Sequence, residues 1–202
     1  MPDGNHEGGM KSVCVFCGSS PGRDPAYVLA AKAFGTLLGR RGITMIYGGG
    51  SLGLMGAAAD AALDAGGKVI GVIPRSLLQR EQGHHRLTEQ HVVGTMHERK
   101  ALMNKLADGF AVLPGGVGTL EEFFEIWSWA NLGIHAKPFG VLEVSGFWQP
   151  MFEFLDRMTS DGFVRPQFRA LVRVSEDPEE LLAAMSAYEA PQGVVWRSED
   201  KI

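Results

Sequence analysis

Gly109-Phe-Ala-Val-Leu-Pro-Gly-Gly-Val-Gly-Thr-Leu-Glu-Glu-Phe-Phe124 is a short apolar run, a glycine turn and the opening of a helical pattern, written in that order. The run Gly109 to Leu113 is too short for a helix and has the make-up of a buried strand. The same device occurs twice upstream, where Ser12 to Cys17 leads into Gly18-Ser-Ser20 and Ile43 to Tyr47 leads into Gly48-Gly-Gly50. Four further runs complete the set: Lys68 to Ile73, His91 to Gly94, Pro138 to Val144 and Leu171 to Val174. Strands alternating with stretches of helical period imply βαβ units and a parallel sheet. The expectation is an α/β fold, a Rossmann-like doubly wound parallel sheet of about seven strands with helices on both faces.

Helix punctuation agrees with that layout. Asp24-Pro25 places an acid at an N-cap before a first-turn proline, in front of a helix running to Arg41, and Asp177-Pro178 repeats the device for the last helix. Leu54 to Ala65 is almost entirely Ala, Leu and Met and stops at Gly66-Gly67, as expected of a helix lying close on a sheet. A chain of 202 residues with 45% hydrophobic residues suits one ordinary domain. We expect it over residues 12–190, between a flexible leader of residues 1–11 and a polar tail of residues 191–202.

Nineteen basic against twenty-three acidic residues leave a net charge of −4, too balanced for a nucleic-acid binder that works through a basic face. No stretch nears the roughly 20 apolar residues needed to span a bilayer. Met1 to Met10 has neither the basic nor the apolar part of a secretory signal, so a cytoplasmic location is expected. The only cysteines, Cys14 and Cys17, have C-x-x-C spacing. They fall on a strand, where residues three apart point to opposite faces, so neither a disulfide nor a shared metal is expected. His84, His85, His91 and His97 form no pair on one helical face, and we expect no metal.

Glycine turns at strand ends bring backbone N–H groups near a ligand, an arrangement suited to phosphate. Gly48, Gly50 and Gly53 match G-x-G-x-x-G, the dinucleotide fingerprint. That fingerprint needs an acid at the end of the next strand to hold the ribose, and here the strand ends Ile73-Pro74-Arg75. A mononucleotide pocket including Gly18, Ser19, Gly49 and Met55 is therefore preferred to a dinucleotide site, with close strand-to-helix packing as the alternative. The turn Gly115, Gly116, Gly118 leads into a helix expected to begin at Thr119, whose N-terminus offers unpaired N–H groups and partial positive charge to a monophosphate. The spacing of Thr119 and Glu122 also fits a capping box. In the helix from Met96 to Asp108, Arg99 falls in the same stripe as Met96, Met103, Leu106 and Ala107 and so faces the sheet. A guanidinium there must snorkel out to solvent or find an acid or a phosphate; a purely structural pair with an acid such as Glu122 fits equally well. Lys100 stands beside that seam.

Met96-His-Glu-Arg-Lys100 and Pro114-Gly-Gly-Val-Gly-Thr-Leu-Glu-Glu122 together resemble the Lonely Guy family of cytokinin riboside 5′-monophosphate phosphoribohydrolases. The resemblance extends through Phe16-Cys-Gly-Ser-Ser20, Tyr47-Gly-Gly-Gly-Ser-Leu-Gly-Leu-Met-Gly56, Gly71-Val-Ile-Pro74 and Trp129-Ala-Asn-Leu-Gly-Ile-His135, across roughly residues 12 to 175. Members are often labelled lysine decarboxylases, although nothing here resembles a pyridoxal-phosphate lysine site. The resemblance implies that Arg99 and Glu122 are catalytic. It also implies that Glu81, Arg99, Lys100, Ser128 and the run Gly116, Val117, Gly118, Thr119, Leu120, Glu121, Glu122 contact a nucleoside 5′-monophosphate in a homodimer without a cofactor. Ser128 stands where many plant members have threonine, and Gln82 to Gln90 looks unlike the plant sequences. Two other functions use the same loops: a broader AMP nucleosidase, and a nucleotide or pterin-cofactor carrier that binds without hydrolysis.

Overall fold

The computed structural model describes residues 9–78 and 83–190. The leader up to residue 8, Glu81 and the tail 191–202 lie outside the described residues. Seven strands run in chain order: β1 Ser12–Phe16, β2 Thr44–Tyr47, β3 Val69–Pro74, β4 Glu89–Val93, β5 Gly109–Val112, β6 Phe139–Leu142 and β7 Val172–Ser175. They form one sheet in the order β4-β3-β2-β1-β5-β6-β7, with every neighbouring pair parallel. The chain winds outward from β1 to β4, then returns to place β5 on the other side of β1. The carboxyl ends of β1 and β5 therefore flank the point where strand order reverses, the position at which open α/β sheets leave a crevice.

The helices are α1 Pro25–Arg40, α2 Gly53–Asp64, α3 Met96–Leu106, α4 Val117–Asn131, α5 Gln149–Ser160, the short α6 Pro166–Arg169, and α7 Pro178–Ser186. Side chains from α1, α2 and α7 fill one face of the sheet around Val13, Val15 and Cys17. Those of α3, α4, α5 and α6 cover the other around Cys14 and Phe16. The two cysteines thus belong to opposite cores, as strand periodicity required, and both thiols are free. Burial first, and then the negative charge of Glu122, push both thiols above their ordinary range and keep them protonated.

Small residues let α1 and α2 approach closely. A β-carbon on Gly35 would run into the carbonyl of Ala58, and one on Gly39 would sit 2.8 Å from the β-carbon of Ala65. Because Ala58 belongs to a buried helix backbone that cannot give way, Gly35→Ala is expected to cost about 1–3 kcal/mol as an overpacking change. Urea unfolding followed by circular dichroism checks it, and an unchanged midpoint would show that the helices can separate freely. Among the described residues, no helix is long and apolar enough to cross a membrane.

Candidate active site

The carboxyl edge of the sheet carries the starts of the longer helices, and most of these starts are already satisfied by protein atoms. Asp24 accepts from the Ala26 amide at the head of α1, Thr95 from the Glu98 amide at α3, and Asp177 from the Glu179 and Glu180 amides at α7. At α2 the carbonyl of Gly18 takes the amides of Leu54 and Met55, at 3.0 and 3.3 Å. The turn that reads as a dinucleotide fingerprint is thus largely a packing junction. Gly53, at φ +60, lets the Ser19–Ser20 backbone lie directly on it, and Gly49, at φ +79, turns the chain under Ile73.

Helix α4 differs. It starts at Val117 rather than Thr119, with Gly116 at the N-cap and no side-chain capping bond. Thr119 is consequently the third residue inside the helix, and the capping-box reading of Thr119 and Glu122 is corrected: a capping side chain must come from the residue before the first turn. Thr119 instead turns inward beneath Gly115, where any β-carbon would collide with its hydroxyl. The first four N–H groups of a helix have no partner within it. Among the described residues, those of Val117, Gly118 and Thr119 have no protein acceptor. The turn before them is held in place by the Gly18 amide, which donates to the Pro114 carbonyl at 3.0 Å.

One turn further along, Glu122 points toward Arg99 of α3. Gly118 and Glu122 are four residues apart and share a face, roughly 6 Å along the axis. The Arg99 side chain is 6% exposed and that of Glu122 12%, with Nη2 and Oε1 3.8 Å apart, an ion pair too long for a hydrogen bond. Arg99 is therefore buried at the face predicted for it, but its donors are poorly used. Its Nε has no hydrogen-bond partner among the described residues, and Nη1 meets only the sulfur of Met96 at 3.9 Å. Leaving the donors of a buried guanidinium unspent is costly, and such donors are apt for an anion.

The neighbouring residue on each helix forms a second, tighter connection. Lys100 Nζ donates to Glu121 at 2.6 Å and lies 2.8 Å from Glu125. Desolvation works against the ammonium, yet the two carboxylates outweigh it and hold Lys100 above its ordinary range. Lys100 was expected to contact the nucleotide; here it bridges α3 and α4, with Glu125, which the sequence reading did not single out, as its second partner. Leu120 is half-buried. Glu121 and Ser128 are exposed, and Ser128, six residues beyond Glu122, occupies a different face of α4. Within one chain the fold therefore groups Gly116 to Thr119, Glu122 and Arg99, borders them with Gly48 and Met55, and leaves Ser128 apart. His84 is buried, 3.3 Å from Asp60, while His91 pairs with Glu89 at 2.9 Å.

A family model described as "Possible lysine decarboxylase" matches residues 55–185. A cytokinin riboside 5′-monophosphate phosphoribohydrolase of Rhodococcoides fascians is 47% identical over 176 residues, which are 87% of this chain and 89% of that protein. The chain belongs to the Lonely Guy family. A member from Oryza sativa subsp. japonica with the same printed activity is 45% identical over 96% of this chain and 81% of its own length. Another from Arabidopsis thaliana is 42% identical over 96% and 91%. Among solved structures, the molybdenum cofactor carrier protein of Chlamydomonas reinhardtii aligns with a TM-score of 0.62 and 23% identity, covering 86% of this chain and 94% of that one. The molybdenum cofactor binding protein of Rippkaea orientalis gives 0.63 and 21%, covering 85% and 93%. At such identities these two establish that this Lonely Guy chain shares their fold.

Proposed function

We propose that this chain hydrolyses the N-glycosidic bond of cytokinin riboside 5′-monophosphates, adenosine 5′-monophosphates with a substituted amino group, releasing the base and ribose 5-phosphate. The observation that carries the reading is the pairing on α4 of unclaimed amides at Val117, Gly118 and Thr119 with Glu122 one turn away, opposite a buried Arg99 whose donors are mostly unspent. A phosphate on those amides gains the helix-terminal charge and hydrogen bonds together. The ribose then extends along the helix toward Glu122. As the C1′–N9 bond breaks, positive charge builds on the ribose, and an ionised carboxylate stabilises it while orienting the water that adds to C1′. The water's other proton ends on the departing base, directly or relayed through solvent, so the sum is nucleotide plus water giving base plus ribose 5-phosphate. Arg99 contributes charge and donors to phosphate or ribose and restrains the carboxylate. The relatives' printed activity is the same hydrolysis.

Incubating the purified protein with isopentenyladenosine monophosphate or AMP and separating the liberated bases by chromatography tests the reading. Isopentenyladenine release well above adenine release is expected. Equal release would make the protein a general AMP nucleosidase, and stoichiometric capture without free base would make it a carrier. The reading includes a homodimer. Val117, Phe124 and Leu132 are exposed at helical spacing along the outer face of α4, an apolar stripe that a second copy could cover and that also carries Ser128.

A further inference from the structure

Gly48 is the first glycine of the apparent fingerprint, and its backbone gives no reason for glycine: its φ lies outside the left-handed region that Gly49 and Gly53 occupy. The reason is a side chain from a distant helix. A β-carbon on Gly48 would overlap Nη2 of Arg99, with Cζ at 3.1 Å and the sulfur of Met55 at 3.3 Å as the next nearest atoms. The guanidinium therefore lies directly against the Gly48 α-carbon at the end of β2. We propose that Gly48 is a positioning residue: its missing β-carbon is the seat that holds the Arg99 guanidinium at its 3.8 Å spacing from Glu122.

The helix that carries Arg99 is anchored at both sides. Arg99 projects from the first turn of α3, which Thr95 and Glu98 fasten at its start: Thr95 accepts from the Glu98 amide, and Glu98 Oε2 accepts from the Gly94 amide at 2.8 Å. The Lys100 bridge to Glu121 and Glu125 fixes α3 against α4 from the other side. With both helices anchored, a methyl group at position 48 cannot be relieved by moving the backbone of α3; the guanidinium itself must leave. Its displacement would take the cation away from Glu122 and expose the substrate site to a differently placed charge. The fingerprint is thereby reassigned glycine by glycine. Gly48 seats Arg99, Gly50 forms an antiparallel bridge with Gly83, and Gly53 admits the Ser19–Ser20 backbone.

The catalytic consequence rests on the hydrolase reading above, whereas the steric one does not, so the two fail separately. Gly48→Ala is made in the native chain and in an Arg99→Ala chain, and thermal unfolding is measured for all four proteins. In the native background the methyl is expected to lower the Tm by several degrees; in the Arg99→Ala background, where the overlapping guanidinium is gone and the next contact is the flexible Met55 thioether, it should lower it much less. An equal loss in both backgrounds, or failure of both Gly48→Ala proteins to fold, would overturn the proposal by placing the demand for glycine in the backbone. The kcat/KM of Gly48→Ala for base release should fall at least tenfold, with the rise in KM expected of the Arg99 variants, and native turnover in a folded Gly48→Ala protein would equally overturn it. If no variant or native protein releases base, the Tm comparison still decides whether Gly48 seats Arg99.

Discussion

Glu122→Gln is expected to reduce base release about a thousandfold, roughly 4 kcal/mol of transition-state stabilisation, in a protein that still folds, with a lowered melting temperature because Arg99 loses the Glu122 anion. The change is nearly isosteric, removes the negative charge and turns one acceptor oxygen into an NH2 donor. In the reaction proposed here that charge is needed when the ribose becomes cationic and when water is oriented, so the loss should appear in kcat with KM little altered. The structural role once conceivable for this residue has a different signature. A capping glutamate would leave activity intact and cost about 1 kcal/mol of stability. Since Gly116 is the N-cap and Glu122 lies beyond the first turn facing Arg99, the structure favours the first outcome. Steady-state kinetics and a melting curve on the same preparation separate them; native kcat in the variant would remove Glu122 from the chemistry.

The sheet was legible because all-parallel strands are buried on both faces and stand out as short apolar runs between glycines. β5 is wholly buried and its limits were read to within one residue; β4 is an edge strand whose Glu89 and Gln90 are exposed, and polar residues hid its first two positions. Helix α5 was not named from sequence, although Met151, Phe152, Leu155 and Met158 recur at helical spacing and pack on the core beneath it. The start of α4 was misplaced because Thr119 and Glu122 imitate a capping signature, whereas the true N-cap is a glycine that signals nothing by its side chain. Arg99 could be found because a charge inside an apolar stripe is conspicuous. Its contact with Gly48, and the seating of Lys100 between Glu121 and Glu125, could not be: both depend on how two helices and a strand end are set against one another, which local periodicity does not encode.

Replacement of Arg99 should have the other large effect, and its form distinguishes what the guanidinium does. Arg99→Lys keeps a positive charge but replaces a planar fork of donors with a point charge on a flexible stem, so it is not a conservative change at a site that calls for several directed hydrogen bonds. Among the described residues Nε and Nη1 make no hydrogen bond to oxygen, and the Glu122 carboxylate is 3.8 Å from Nη2, so on the proposed reading most of the donor capacity serves substrate. We expect kcat/KM for isopentenyladenosine monophosphate to fall about a thousandfold, roughly 4 kcal/mol, with a higher KM and weaker inhibition by ribose 5-phosphate, because the product carries the same phosphate and sugar. A collapse of kcat with inhibition unchanged would instead confine Arg99 to restraining Glu122. Arg99→Ala removes charge and packing together and withdraws the Arg99 cation from a largely buried carboxylate. It should therefore lose stability as well as activity, by at most about 3–5 kcal/mol and by less if solvent enters the space. Comparing the two variants by denaturant unfolding and by product inhibition divides the role of the guanidinium in folding from its role in binding.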